Sequence, residues 1–279
     1  MKTDIYQTVT DKIVAELSAG AAPWVREWDS GLPVNAVTGR PYNGVNVLIL
    51  WAAAAERGYQ SQEWMTYRQA QEKGWQVRKG EKGTAVVFYK TIIMDGDEQD
   101  DEEKPEVRRI MRTFHVFNRE QVDGIPEREA EPKALRFEQA EAFIQAAGAR
   151  VEDGEPAYAW RRDVITMPEI VKFHSTAGYY ATFLHELTHW TGHASRLGRP
   201  LANPFGSREY AFEELIAELG AAFLCAELGV PGQVRHAGYI QTWIEVLRED
   251  KRAIFRAAAA ASRAADFLKS LAKTGERAA

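Results

Sequence analysis

Cysteine is almost absent: Cys225 stands alone among 279 residues, so no internal disulfide can form. Its apolar, helix-forming neighbours (AAFLCAELG) point to a buried thiol rather than a nucleophile. No uninterrupted apolar run approaches the roughly 18 residues that a membrane span requires. The N-terminal MKTDIYQTVTDKIVAEL sets acids among its apolar residues, where a secretory signal has a basic start and an unbroken apolar stretch. A cytoplasmic protein with no membrane partner is therefore expected. Positive charge is not in excess either. The net charge of -5 excludes general attraction to nucleic acid and leaves only local binding. No internal repeat is visible, and 45% hydrophobic with 27% charged residues excludes a disordered or fibrous chain.

What is present reads as two domains, since the length exceeds that of a typical single one. TDIYQTVTDKIVAELSAG has apolar residues at helical spacing and ends in glycine, which predicts an amphipathic helix. Residues 23–47, rich in Pro, Gly, Asn and aromatics, predict an ordered loop region. LILWAAAAERG returns to helix with Gly58 as its stop, and WMTYRQAQEKG suggests a further short helix. Two β-rich runs follow, WQVRKGEKGTAVVFYKTIIM and VRRIMRTFHVF, separated by DGDEQDDEEKPE. A block of like charges repels itself and stays extended, so the simplest account is two strands joined by a solvated loop; an acidic lure for a basic partner is the alternative. The polar, proline-bearing REQVDGIPEREAEPKA is the best linker candidate and places a boundary near residue 130. Beyond it come a helix (LRFEQAEAFIQAAGA), a strand-like DVITMP that could pair with an extended peptide by strand addition, and four helical stretches. The fold expected is α+β: a mixed domain over residues 1–130 around a small antiparallel sheet, then a mostly helical domain over 131–279 with a short sheet.

The chemistry is concentrated in LHELTHWTGH. On a helix His185 and His189, four residues apart, project from one face a turn apart and can share one ion. Glu186 then sits beside the open coordination position, where a carboxylate can take a proton from the attacking water and pass it to the leaving amine. Tyr179, Tyr180, Phe183, Leu184, Leu187 and Trp190 supply the apolar packing for a buried helix. Catalytic zinc usually takes three protein ligands. Gly192 fits the longer HExxHxxGxxH motif, but Ser195 occupies its third-histidine position and His193 is two residues early, which disfavours that route. YAFEELIAELGAAFL is the better source. Its Glu214 and Glu218 give an E-x-x-x-E face resembling the second helix of zinc peptidases with a glutamate third ligand. Glu214 would ligate the metal, with Glu218 bonded to a ligand histidine. Glu213, about 100° away on an ideal helix, is the fallback. Zinc, or another divalent ion such as Mn2+ or Co2+, is the expected cofactor. His115, His174 and His236 stand isolated and read as ordinary surface or core histidines. Tyr179 and Tyr180 could stabilise an oxyanion, although aromatics on a core helix usually pack.

Residues 1–94 hold five of the eight tryptophans and eleven Lys or Arg against nine Asp or Glu. Aromatics interleaved with basic residues, as around VRKGEKG, offer stacking platforms beside phosphate-neutralising charge, which suits single-stranded nucleic acid. The same density also suits an ordinary core.

Together these stretches resemble the ArdC family of plasmid-carried antirestriction proteins. The resemblance is carried by Trp24 to Trp28 with GLPVNAVTGRPYNGVNVLIL, by WMTYRQAQEKGWQVRKGEKGTAVVFYK and FHVFN, and by YYATFLHELTHWTGHASRL and YAFEELIAELGAAFL. It implies an N-terminal single-stranded DNA-binding domain, shared with certain conjugative primases, and a zincin-like metallopeptidase domain that together protect incoming plasmid DNA from host restriction during conjugation. It implies His185, His189 and Glu214 as metal ligands and Glu186 as the general base. Arg40, Tyr42, Asn43, Asn46, Trp75, Arg78 and Lys79 lie in the matching loops with chemistry suited to DNA. The partners expected are single-stranded DNA and an unidentified host protein substrate. Two alternatives stand beside this: a DNA-coating protein whose metal site is not needed for protection, and a regulatory metallopeptidase that cleaves a repressor.

Overall fold

The computed structural model describes residues 4–20, 22, 24, 31–94, 106–126, 136–231 and 239–276. Most of the acidic stretch (95–105), the later part of the linker candidate with the boundary near residue 130 (127–135), Trp28 and His236 lie outside these residues, whereas the start of that linker candidate (119–126) is described and folded.

The first half is a small sheet with helices on it. Helix α1 (Ile5–Ser18) starts where Asp4 accepts from the backbone of Tyr6 and Gln7, and α2 (Val45–Arg57) stops where Gly58 turns left-handed at φ 72°. Strands β1 (Val34–Asn35), β2 (Glu63–Thr66), β4 (Thr84–Met94) and β5 (Glu106–Asn118) form one sheet in the order β1-β2-β5-β4. The two β-rich runs pair antiparallel along eleven positions from Thr84↔Val116 to Met94↔Glu106. A second pair, β3 (Gln76–Val77) with β6 (Val122–Asp123), completes this half.

WMTYRQAQEKG is not one helix. It divides at Thr66: β2 ends there and α3 (Tyr67–Glu72) begins, because Thr66 and Gln69 form a reciprocal capping box. Trp64 and Met65 are both fully buried, Trp64 beside Leu50, Val86 and Val116, Met65 beside Ala70, Val77 and Val122. Alternate faces of one strand thus feed two clusters, and tertiary burial outweighs the helical pattern.

The second half is helical around a three-stranded sheet. After α4 (Arg136–Ala147), strands β7 (Val151–Glu152), β8 (Ala157–Ala159) and β9 (Val164–Thr166) pair in the order β7-β9-β8. Helices α5 (Thr176–Thr191), α6 (Arg208–Leu228), α7 (Ile240–Glu249) and α8 (Ala253–Glu276) follow. The architecture is α+β, with a mixed first part and a mostly helical second. Cys225 is buried in the core of the second part, beside Leu184 and Leu187.

Another core joins the two parts. Ile13 and Leu17 of α1 and Trp51 of α2 pack with Leu215 and Phe223 of α6, Trp243 of α7 and Ala257, Ala258 and Ala261 of α8. Trp51 and Phe223 meet with ring centroids 5.9 Å apart. Removing an aromatic ring of this kind from a close-packed core costs about 3–5 kcal/mol. A cut near residue 130 would divide this shared core. Among the described residues no helix is long and apolar enough to cross a membrane.

Candidate metal centre

Helix α5 carries His185, Glu186 and His189, and α6 carries Glu213, Glu214 and Glu218, all six buried. The two helices can lie close because Gly220 of α6 faces Thr188: a Cβ at 220 would come within 2.5 Å of the threonine methyl. At this crossing the Nε2 atoms of His185 and His189 stand 3.2 Å apart. The Glu214 carboxylate spans them, one oxygen 3.5 Å from His185 Nε2 and the other 3.5 Å from His189 Nε2. One ligand atom from each of these three residues lies within 4.8 Å of the others.

The ring nitrogens facing away from this point also have carboxylates. His185 Nδ1 lies 3.6 Å from Glu218 and His189 Nδ1 lies 3.1 Å from Glu213. Carboxylates at both Nδ1 atoms hold one proton of each ring there, so a cation that displaces the proton on each Nε2 would meet two lone pairs and a carboxylate converging on one spot. The electrostatics agree. Burial opposes charge on both rings, but Glu214 and Glu218 push His185 up to about 10, and Glu213 and Glu214 push His189 up to about 9. Burial likewise opposes ionisation of Glu214, yet the two histidines hold its carboxyl well below the usual range. The pocket thus favours positive charge, and its donor set of two imidazoles and a carboxylate suits a divalent ion such as zinc or manganese.

Glu213, the fallback ligand in the sequence, faces the outer nitrogen of His189. It is anchored by Arg199, which donates from Nε at 3.0 Å and from Nη2 at 2.9 Å. Arg199 also donates to Thr191 Oγ1 at 2.8 Å and to the Thr188 carbonyl at 2.7 Å. Gly192 is required for this: a Cβ there would meet Arg199 Nη2 at 2.9 Å. Arg199 was not legible in the sequence, since no spacing rule links a loop arginine to a glutamate fourteen positions later. Arg199→Ala should leave Glu213 without its cation and weaken metal binding by about 10- to 100-fold, measured by competition with a chromogenic chelator. Unchanged affinity would show that this outer layer does not orient His189.

A cavity of about 260 Å3 opens onto these residues, lined by His185, Glu186, His189 and Glu214 together with Ala157 and Tyr158 of β8 and the rings of Trp160, Tyr210 and Tyr239. The DVITMP strand is not available for strand addition. It is the central strand β9, paired parallel with β7 and antiparallel with β8, so both its edges are taken. The edge beside the cavity belongs to β8. Arg196 moors this sheet to the end of α5: it is ion-paired with Asp163, bonded to Tyr158 Oη at 3.1 Å and stacked 3.8 Å over Trp190. Tyr179 and Tyr180 do not line the cavity; they pack in the core, with Tyr180 bonded to Glu141 at 3.2 Å. Tyr210 and Tyr239 do line it. Burial, then the nearby Glu214 charge, raises the Tyr210 phenol; burial is also the main cause of the rise at Tyr239. Both therefore stay protonated and able to donate. His193 turns away beyond the helix end, 2.8 Å from Ser195.

Residues 3–117 match the family described as the N-terminal domain of anti-restriction factor ArdC, and residues 138–260 match the family of zincin-like metallopeptidases. The metal-free crystal structure of the antirestriction protein ArdC from plasmid R388 superposes with a TM-score of 0.82 at 46% identity, covering 97% of this chain and 98% of that one. The chain belongs to the ArdC antirestriction family. The Mn(II)-bound structure of the same R388 protein gives a TM-score of 0.80 at 45% identity, over 96% of this chain and 98% of that one. The Sinorhizobium fredii protein y4eC is 43% identical over 95% of this chain and 92% of its own length. Two Escherichia coli DNA primases named TraC are 40% and 41% identical over 96% of the chain, which spans only 27% and 20% of their lengths.

In this ArdC-family chain the DNA-binding candidates fall into two places. Arg40, Tyr42, Asn43 and Asn46 line one cavity in the first half. Asn46 is buried within it and holds the fold, donating to the Val87 carbonyl at 2.7 Å and accepting from the Val87 amide at 2.8 Å. Trp75, Arg78 and Lys79 lie outside that lining. Trp75 packs against Met65, Ala70, Val77 and Val122. Arg78 is paired with Glu81 at 3.1 Å and Asp123 at 3.4 Å, which neutralises much of its charge.

Proposed function

We propose that this chain is an antirestriction protein that binds single-stranded DNA without strong sequence preference, carries a working metallopeptidase site and protects incoming plasmid DNA during conjugation. The observation that carries the peptidase reading is the convergence of His185, His189 and Glu214, with Glu186 on the same cavity, beside the edge strand β8. The DNA reading is supported by family membership.

A divalent ion held by His185, His189 and Glu214 would act as a Lewis acid toward a carbonyl and make water nucleophilic near neutral pH. Glu186 takes the proton from the attacking water and returns it to the leaving amine. Tyr210 and Tyr239 supply phenolic O–H donors for the oxygen that gains negative charge. β8 offers backbone groups to an extended peptide, which binds by adding a strand. Glu213, Glu218 and Arg199 keep the imidazoles oriented throughout.

The full-length protein should bind an oligothymidylate in low salt, with log affinity falling linearly with log salt by about 0.7 per phosphate neutralised. The gene should also raise plasmid transfer from a donor into a restricting recipient by more than it changes transfer into a restriction-deficient one. Absence of single-strand binding at low salt would remove the DNA half of this reading.

A further inference from the structure

A cavity of about 460 Å3 lies in the first half, apart from the metal centre, and no acidic residue lines it. Its volume is within the roughly 300–1,000 Å3 usual for small-ligand sites. One wall is aromatic. In the β4–β5 register Val86 faces Phe114 and Phe88 faces Arg112, so Phe88, Phe114 and Arg112 share one face of the sheet. The two rings meet edge to face, centroids 5.4 Å apart at 83°. They remain 47% and 43% exposed, while Val86 and Val116 on the same face are buried. The core beneath is therefore already closed by the valines, and the phenylalanines present bare ring surface to solvent.

The facing wall is a tightly tied loop. Asn35 N–H donates to the Arg40 carbonyl at 2.8 Å and Tyr42 N–H to the Pro33 carbonyl at 2.8 Å. The Asn35 side chain accepts from Val37 and Thr38 amides and donates to Gln69 at 3.1 Å, joining the loop to the start of α3. On this loop Arg40 and Asn43 are exposed and Tyr42 is half-buried. Neither Arg40 nor Arg112 forms an ion pair with another described residue. A preformed slot with π-faces on one side, hydrogen-bonding groups on the other, Arg40 in its lining and Arg112 beside Phe88 on the same sheet face matches the chemistry of a nucleotide. It matches a single strand better than a duplex, whose bases are stacked and paired and cannot enter.

We propose that this cavity receives one unstacked base of a DNA single strand, its ring lying against Phe88 and Phe114, with Arg40 and Arg112 neutralising the flanking phosphates. This rests on the reading of the chain as a single-strand binder and adds where, and in what form, a base is held.

The test is fluorescence anisotropy with the full-length protein, a labelled oligothymidylate and the same oligomer carrying a single abasic position at successive sites. Stacking on aromatic rings contributes enough per base that Phe88→Leu with Phe114→Leu should weaken binding by about 5- to 150-fold. Phe88→Tyr with Phe114→Tyr should restore it, and unchanged metal loading verifies the fold. One abasic position should weaken the wild type by a similar factor and leave the leucine variant unaffected, because both changes remove the same contact. Equal affinity of the leucine variant and wild type, or equal abasic losses in both, would overturn the base site while leaving single-strand binding in place. Absence of binding by the wild type to any of these oligomers would overturn both readings together.

Discussion

Glu214→Ala protein is expected to leave purification without stoichiometric metal, and its affinity for added zinc or manganese should fall by more than about a hundredfold. The scale follows from the outer partners: losing one of those costs about 10- to 100-fold, and Glu214 is one of the three residues that converge on the candidate site among the described residues. The same loss is expected for His185→Ala and His189→Ala. Unfolding gives an independent reading, because an ion that binds only the folded chain stabilises it by about 4 kcal/mol when its free concentration is a thousandfold above Kd. Wild-type melting should therefore rise with added metal while that of Glu214→Ala stays flat. Full metal retention in Glu214→Ala would move the third ligand elsewhere, to Glu213 first.

Glu186→Gln is expected to keep the metal and lose peptide cleavage by about 10²- to 10⁴-fold, the usual contribution of a positioned acid–base group. Glu186 lies on the cavity wall but outside the three-residue cluster, so its amide analogue keeps the shape and removes only the proton acceptor. Single-strand binding should be unchanged, because the cavity lined by Arg40 and Phe88 shares no residue with the one lined by Glu186. Scoring plasmid protection by the same variant separates two kinds of antirestriction: protection that persists comes from DNA binding alone, and protection that disappears requires the peptidase. Cleavage that survives the substitution would remove Glu186 as the base. Loss of DNA binding in a folded Glu186→Gln protein would assign the metal centre to nucleic-acid handling instead.

Elements around the two cavities pack into one core even though the cavities share no lining residue. Asn46 ties α2 to β4 through the Val87 backbone, and the opposite flank of α2 places Trp51 against Phe223 of the helix that carries Glu214. Truncations that isolate either half would expose this joint core.

The sequence by itself determined the elements whose cause is local. The four-residue spacing of His185 and His189 places both rings on one helix face wherever that helix lies, and runs rich in β-branched and aromatic residues made β4 and β5 legible as strands. Thr66 and Gln69 carried a capping signal too, but the helical pattern across WMTYRQAQEKG masked it until burial of Trp64 and Met65 showed a strand before the cap. Only the tertiary structure decided matters of azimuth and of contact between distant segments. Glu213 and Glu214 are adjacent and chemically identical, and which one meets the Nε2 atoms depends on how α6 is rotated against α5 at the Gly220–Thr188 contact. The same applies to Arg199 reaching Glu213 past Gly192, to the outer strand β8 rather than the central β9 lying beside the cavity, and to Tyr210 and Tyr239 reaching the cavity in place of Tyr179 and Tyr180. It applies as well to the aromatics of the first half. Trp24, Trp51 and Trp64 are consumed by cores, whereas Phe88 and Phe114 stay exposed because the valines beneath them already close the sheet. Periodicity fixes which face of an element is apolar, but what that face meets is set by packing between residues far apart in the chain.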